Sequence, residues 1–351
     1  MIIRPRESIE YIYDEATDLY RRVYPARVVV HACDATTRLV SEALRGACLH
    51  ARTAMELAAA AMRPNTIAFV DLDMLRHGSA EIAKTTPIIG VIDDAHETLP
   101  SIVRAFEVFP WLSHFTTTAA FTRPGAHAEV SQMVARLVAN GQHDLVSASG
   151  YARVARLATA SRRDTRCERM RQFFVDRGVS GRTIVRLQDI CEELVTNSLY
   201  DAPFEGGYFS QPVPRTEDVD LPRELACEVS YGFDDGMAYV RVRDPFGALT
   251  RARVIAVWSR CKRIGGVSLD ESRGGAGLGL WRVLLAASTV AIRVHPGELT
   301  EVTVGIATKD KRESTRLRSI ELSFAPGDGS RTSVADEYDL MDESVTLVRV
   351  A

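Results

Sequence analysis

The chain has 351 residues, enough for two ordinary domains that each bury a core, and its charged and apolar fractions, 25% and 46%, are those of a globular protein. A net charge of -3 carries no basic footprint of the kind a nucleic-acid partner requires, and six cysteines without a CxxC pair exclude a zinc framework and point to buried thiols in a reducing compartment. The N-terminus lacks the apolar core of a signal peptide, and the longest apolar stretch, around 54–62, is too short for a bilayer, so the expected location is the cytoplasm, with no membrane insertion.

After an amphipathic lead-in at 8–22, apolar runs alternate with helical patterns. Strands are expected at 27–31, 66–70, 87–92 and roughly 114–120, and helices at 35–44, 52–61, 96–106 and 126–139. Short apolar strands alternating with helices imply an α/β domain with an open, doubly wound parallel sheet over residues 1–140. Asn140-Gly141 marks a helix end and a boundary.

The second half is patterned differently. A strand at 152–158 precedes helices at 163–177 and 181–200, and a Gly- and Pro-rich insertion at 203–222 follows. A hairpin then has arms at 225–231 and 237–243 about Asp234-Asp235-Gly236. A helix at 280–287 leads to strands at 289–294 and 299–307, joined through His295-Pro296-Gly297, an order that fits helices on one side of a mixed sheet over residues 141–310. Residues 311–351 read as a C-terminal extension with late strands at 318–324 and 344–350 around the acidic segment 336–343.

Three short motifs stand in this second half. On the helix at 181–200, residues four apart share a face, so Asp189, Glu193, Asn197 and Asp201 form one polar stripe beside an apolar one. Alone, such a stripe is usually a solvated acidic face. Next come Asp244-Pro245-Phe246-Gly247, at the end of an expected strand, and Gly274-Gly275-Ala276-Gly277-Leu278-Gly279-Leu280, whose glycines permit close backbone approach and leave N–H groups free for phosphates at a helix start.

Together the three motifs resemble the ATP-binding site of the GHKL superfamily, shared by gyrase, Hsp90, MutL, histidine kinases and anti-sigma-factor serine kinases. The helix-first layout looks closest to the anti-sigma-factor branch. The resemblance implies a Bergerat-type α/β sandwich that binds ATP and Mg2+. In it Glu193 is the catalytic base, Asn197 the magnesium ligand and Asp244 the acceptor for the adenine amino group, while Asp201, Gly247, Gly275, Gly277, Leu278 and Gly279 complete the nucleotide site. The family form Asp-x-Gly-x-Gly is altered here, with Phe246 and Ala248 in place of two glycines. The segment between the second and third motifs would be the ATP lid, carrying Arg251, Arg253, Arg260, Lys262, Arg263 and Arg273.

The first half is similar to a response-regulator receiver domain. Asp71 falls at the phosphoacceptor position, at the C-terminal edge of the third strand. The acidic pair expected after the first strand falls on Ala32 and Cys33, and the Ser/Thr after the fourth falls near Ile92, so magnesium has few ligands there and the half reads as a pseudo-receiver for protein contacts. The implied whole is a signalling protein acting on a protein partner, as a kinase for Ser or Thr, as a slow ATPase switch, or as a non-catalytic scaffold. A homodimer is one assembly this reading allows.

Overall fold

The structure is a computed structural model and describes residues 11–14, 19–22, 27–63, 65–75, 79–93, 99–122, 126, 127, 130, 133, 134, 137, 145, 150–234, 236–263, 278–308 and 317–325, of which 11–14, 19–22, 100, 261–263 and 278 are described by backbone alone. The chain is α/β, and the described residues fall into two compact units, one drawn from Met1–Thr98 with Val108–His143 and the other from Leu99–Glu107 with Asp144–Ala351.

In the first unit the lead-in forms an antiparallel ribbon of β1 (Tyr11–Asp14) and β2 (Leu19–Arg22). Strands β3 (Arg27–His31), β4 (Leu49–His50), β5 (Thr66–Asp71), β6 (Ile88–Ile92) and β7 (His114–Thr117) make a parallel sheet in the order β4-β3-β5-β6-β7. Consecutive residues of β3 and β5, such as Val28, Val29 and Val30 or Ile67, Ala68, Phe69 and Val70, are all buried, as a parallel sheet covered on both faces requires. Helices α1 (Asp34–Ala43), α2 (Ala54–Ala61), α3 (Ser79–Ala83) and α5 (Ala119–Thr122) belong to this unit, whereas nearly all of α4 (Leu99–Val108) clusters with the second. The strand expected at 114–120 stops at Thr117, because Ala119 and Ala120 favour helix over the pleated ladder. The helix expected at 126–139 and the strand expected at 344–350 lie largely or wholly outside the described residues.

The second unit carries β8 (Tyr151–Leu157), β9 (Cys227–Asp234), β10 (Met237–Asp244), β11 (Thr289–His295), β12 (Leu299–Ala307) and β13 (Ser319–Phe324) in the order β13-β11-β12-β10-β9-β8. All pairs are antiparallel except β11 with β13. One face of the sheet is apolar and includes Val229, Tyr231, Val240, Val242, Ile292 and Val304. Helix α6 (Arg163–Val175) sets Phe173 edge-on to Tyr231, with ring centroids 5.0 Å apart, and α7 (Gly181–Thr196) lies over β10 and β12. Beyond α7 come a widened helical turn at Asn197–Asp201, α8 (Ala202–Glu205), α9 (Arg251–Arg263) and α10 (Leu278–Ala286).

Helix α9 is a correction to the expected elements, which placed no helix at 251–263, within the segment expected to be the ATP lid. Thr250 accepts a hydrogen bond from the Arg253 N–H at 3.3 Å, an N-terminal cap, and Val254, Val257 and Trp258 are buried at helical spacing. Trp258 packs against Phe106 of α4, with ring centroids 6.3 Å apart. A second correction concerns the cysteines. Cys191 and Cys227 are buried, but Cys33 is exposed.

The opposite face of the sheet is charged yet enclosed. Glu301, 2% exposed, ion-pairs with Arg243, lies 3.5 Å from Arg293 and 3.9 Å from Arg241. A buried carboxylate shared by arginines on β10 and β11 is costly to break, because its loss leaves guanidinium groups uncompensated in a poorly hydrated place. Glu301→Ala should therefore destabilise the chain by about 3–5 kcal/mol, read from urea unfolding, and Arg243→Ala should cost less because that side chain is 28% exposed.

Candidate functional site

Helix α7 begins at Ser180, whose hydroxyl accepts the Thr183 N–H at 3.3 Å. Ile184, Leu187, Ile190, Cys191, Leu194 and Val195 are buried, and this apolar stripe fixes the helix on the sheet. Its other edge, with Glu193, Asn197 and Asp201, faces a cleft. Asp189, expected on the same stripe, is not among the cleft residues. Arg163 steadies the C-terminal end, donating to Thr196 Oγ1 at 3.1 Å and lying over the Tyr200 ring at 5.7 Å.

The turn that carries Asn197 and Asp201 is a π-turn, closed by the Ala202 N–H donating to the Asn197 carbonyl five residues back. Pro203 follows at once. It has no N–H to donate, and its ring crowds the carbonyl four residues earlier, so a wider turn relieves the conflict without ending the helix.

Asn197 joins the acidic groups on either side of it. Its hydrogen-bonding neighbours assign the amide nitrogen to the carboxylates, donating to Glu193 Oε1 at 3.2 Å and to Asp201 Oδ2 at 3.0 Å. Asp201 Oδ2 also accepts from Arg215 at 3.1 Å. The result is a row of Glu193, Asn197, Asp201 and Arg215. Glu193 has its pKa raised, chiefly by burial, with Asp201 adding to the rise and Arg215, Arg282 and the Asn197 hydrogen bond opposing it. A carboxylate held in this way is a better proton acceptor than a solvated one.

Gly279, in the first turn of α10, lies against Glu193. A Cβ at 279 would overlap the carboxyl group of Glu193, so glycine is what lets the third motif approach the first. Leu278 opens the same helix, while Gly274, Gly275 and Gly277 lie outside the described residues.

The other end of the cleft is Asp244, the last residue of β10, opposite Thr300 of β12. Its Oδ1 accepts the Phe246 N–H at 3.0 Å. Burial is the main cause that raises its pKa to about 6, against the lowering effect of the Phe246 hydrogen bond. The Thr300 and Ser198 side chains and the Gly247 backbone lie close enough to the carboxyl group to oppose the rise as well. Gly247 adopts φ +57, and a Cβ there would strike the backbone of His295, Gly297 and Glu298, so this glycine serves the turn rather than the cleft wall. The departure at Phe246 has a structural account. The ring is buried against Gly206, and its centroid is 6.4 Å from that of Tyr208, so it props the 206–209 segment and stays out of the cleft, while Ala248 lines the cleft.

Thus Glu193, Asn197, Asp201 and Asp244 line one cleft with Thr300 and Arg253. Of the arginines expected in a lid, Arg253 ion-pairs with Glu205, and Arg251 donates to the Phe106 carbonyl at 3.4 Å. Lys262, Arg263 and Arg273 have no described side chains. Arg215, Glu205 and Thr300 are site residues that sequence reading missed; the first lies in a loop without periodicity, and no pattern marked it. Among the described residues no three His, Cys, Asp or Glu side chains form a closed metal site. With its nitrogen on the two carboxylates, the Asn197 amide keeps its oxygen free on the other side, and the donors of this open row, amide and carboxylate oxygens, suit an ion that takes its other ligands from phosphate and water. Asp71 stands apart in the first unit, at the end of β5, where Oδ2 accepts the Cys33 N–H at 2.7 Å and so anchors the start of α1. Among the described residues no helix is long and apolar enough to cross a membrane.

No family model and no curated protein matches the chain. Among solved structures it is similar to a chain of the SiaB-SiaC complex from Pseudomonas aeruginosa, at 15% identity over 44% of this chain and 88% of that one, with a TM-score of 0.29.

Two expected outcomes follow from this geometry. Asp244 titrates higher in the folded chain than in the unfolded one, so its contribution to stability is greatest below the unfolded value of 3.8 and is lost as pH rises through about 6. That loss is on the order of 3 kcal/mol at pH 7. Asp244→Asn removes the buried charge, and urea unfolding should show the variant more stable than the parent at pH 7.5, with the advantage much reduced at pH 4.5. Gly279→Ala should displace the flexible end of Glu193 and leave the melting temperature within a few degrees of the parent, while changing any chemistry that depends on that carboxylate.

Proposed function

We propose that the second unit is a GHKL-type nucleotide site that binds Mg-ATP, and that the chain transfers the terminal phosphoryl group to a Ser or Thr hydroxyl of a protein partner. One observation carries this reading: a single cleft holds a buried carboxylate acceptor, Asp244, and, along α7, the Glu193–Asn197–Asp201 row with Gly279 pressed against it. The mixed sheet with helices over its apolar face is the layout expected of the Bergerat-type sandwich. The strand order of the first unit, 2-1-3-4-5 counted within its parallel sheet, is that of a common doubly wound fold and suits a receiver-like regulatory module.

Each residue then has a physical task. The Asp244 carboxylate, whose Oδ1 takes the Phe246 N–H, would accept from an exocyclic amine, a contact that selects adenine over bases without that donor. Asn197, through the amide oxygen left free by its hydrogen bonds to Glu193 and Asp201, would hold magnesium. When bound, the ion neutralises charge on the phosphate oxygens. Glu193 takes the proton of the incoming hydroxyl as the oxygen–phosphorus bond forms, and the bond from the terminal phosphorus to the bridging oxygen breaks to release ADP.

Asp71 is committed to the Cys33 N–H, a structural task that supports a role for the first unit in protein contacts. The test is a titration of the purified chain with ATP, with and without magnesium, beside Glu193→Gln and Asp244→Asn. Glu193→Gln should keep binding and lower turnover by about 100-fold or more, the usual weight of a general base. In Asp244→Asn the Phe246 N–H holds the amide oxygen, so a donor replaces the acceptor facing the base, and ATP binding should be lost. Saturation of neither the parent nor Glu193→Gln would sink the proposal.

A further inference from the structure

We infer that Arg215 is the residue by which this cleft tells a nucleoside triphosphate from a diphosphate; the inference rests on the nucleotide reading above. Arg215 comes from the insertion after α8, which has no part in the three motifs, yet the fold fastens that insertion firmly. The Tyr200 hydroxyl donates to the Glu217 carbonyl at 2.7 Å, the Ser161 N–H to Asp218 at 2.8 Å and the Thr159 hydroxyl to Asp220 at 2.8 Å. The backbone is pinned as well, with the Ala160 N–H on the Val219 carbonyl at 2.8 Å. The Glu217 N–H donates to the Pro214 carbonyl at 3.0 Å, closing a turn that has Arg215 at its first corner. A proline before that corner and this anchorage after it set the direction of the side chain at little cost in entropy on binding.

The guanidinium reaches the end of the polar row, 3.1 Å from Asp201 Oδ2, and its side chain is 40% exposed. Asp201 takes one of its five N–H donors and leaves others for a ligand. Electrostatics supply the reason for such a group. Glu193 and Asp201 both bear carboxylates, and a terminal phosphate arriving beside Glu193 adds further negative charge. Arg215 already acts on Glu193, whose pKa it lowers, and so offsets charge that a third phosphate would bring beside that carboxylate. Planar guanidinium groups also match phosphate oxygens in pairs, which a lysine does not.

The experiment is calorimetric titration of the full chain, of Arg215→Gln and of Arg215→Lys with ATP and with ADP, at one magnesium concentration. Arg215→Gln should weaken ATP about tenfold or more, the weight of one charge-assisted contact, while ADP changes by less than about twofold. Arg215→Lys should fall between, keeping the charge but losing the fork. Retained ADP binding shows that the variants are folded. Equal weakening of ATP and ADP would make Arg215 only a support for Asp201 and would overturn the inference, as would unchanged ATP affinity. If the parent chain binds neither nucleotide, the nucleotide reading fails and takes this inference with it.

Discussion

Helix α7 has to satisfy two surfaces at once, and the second unit is arranged around that constraint. Its apolar stripe must lie on β10 and β12, which fixes the rotation of the helix about its own axis. Once that rotation is set, Glu193, Asn197 and Asp201 have nowhere to go but the cleft edge. The same strands that receive the stripe, β10 and β12, contribute Asp244 and Thr300. The packing that stabilises the unit therefore also sets the distance between the two polar ends of the cleft.

Polar groups at both ends are held under some electrostatic tension. Asp244 and Glu193 are each shifted upward by burial, and each is checked by hydrogen bonds or nearby arginines rather than by a full buried ion pair. This differs from the far face of the sheet, where Glu301 is surrounded by guanidinium groups and leaves little for a ligand to gain. Polar residues on the two faces of one sheet thus have opposite tasks. Those around Glu301 close a network, and those in the cleft keep acceptors open.

Much of this was legible in the sequence because it depends on local patterns. Consecutive apolar residues revealed β3 and β5, the Asp234-Asp235-Gly236 turn revealed the hairpin of β9 and β10, and spacing by four put Glu193, Asn197 and Asp201 on one edge. The π-turn was not legible, since it arises from Pro203 continuing a helix that tertiary packing keeps intact. Helix α9 carries its cap and its apolar spacing locally, but the segment was read only for its basic residues. Arg215 was hidden for a different reason. Its position follows from anchors at 217–221 that join segments far apart in sequence, and no window of local residues contains them.

The contact between Gly279 and Glu193 reaches beyond the site itself. The two positions occupy a single volume, so the size of one limits the length of the other. A side chain at 279 displaces the end of the glutamate at 193, and the carboxylate would then sit back from the cleft. Two residues on different helices are in this sense inherited as a pair, and a chain of this fold that has lost the glycine is expected to have given up the reach of its glutamate as well.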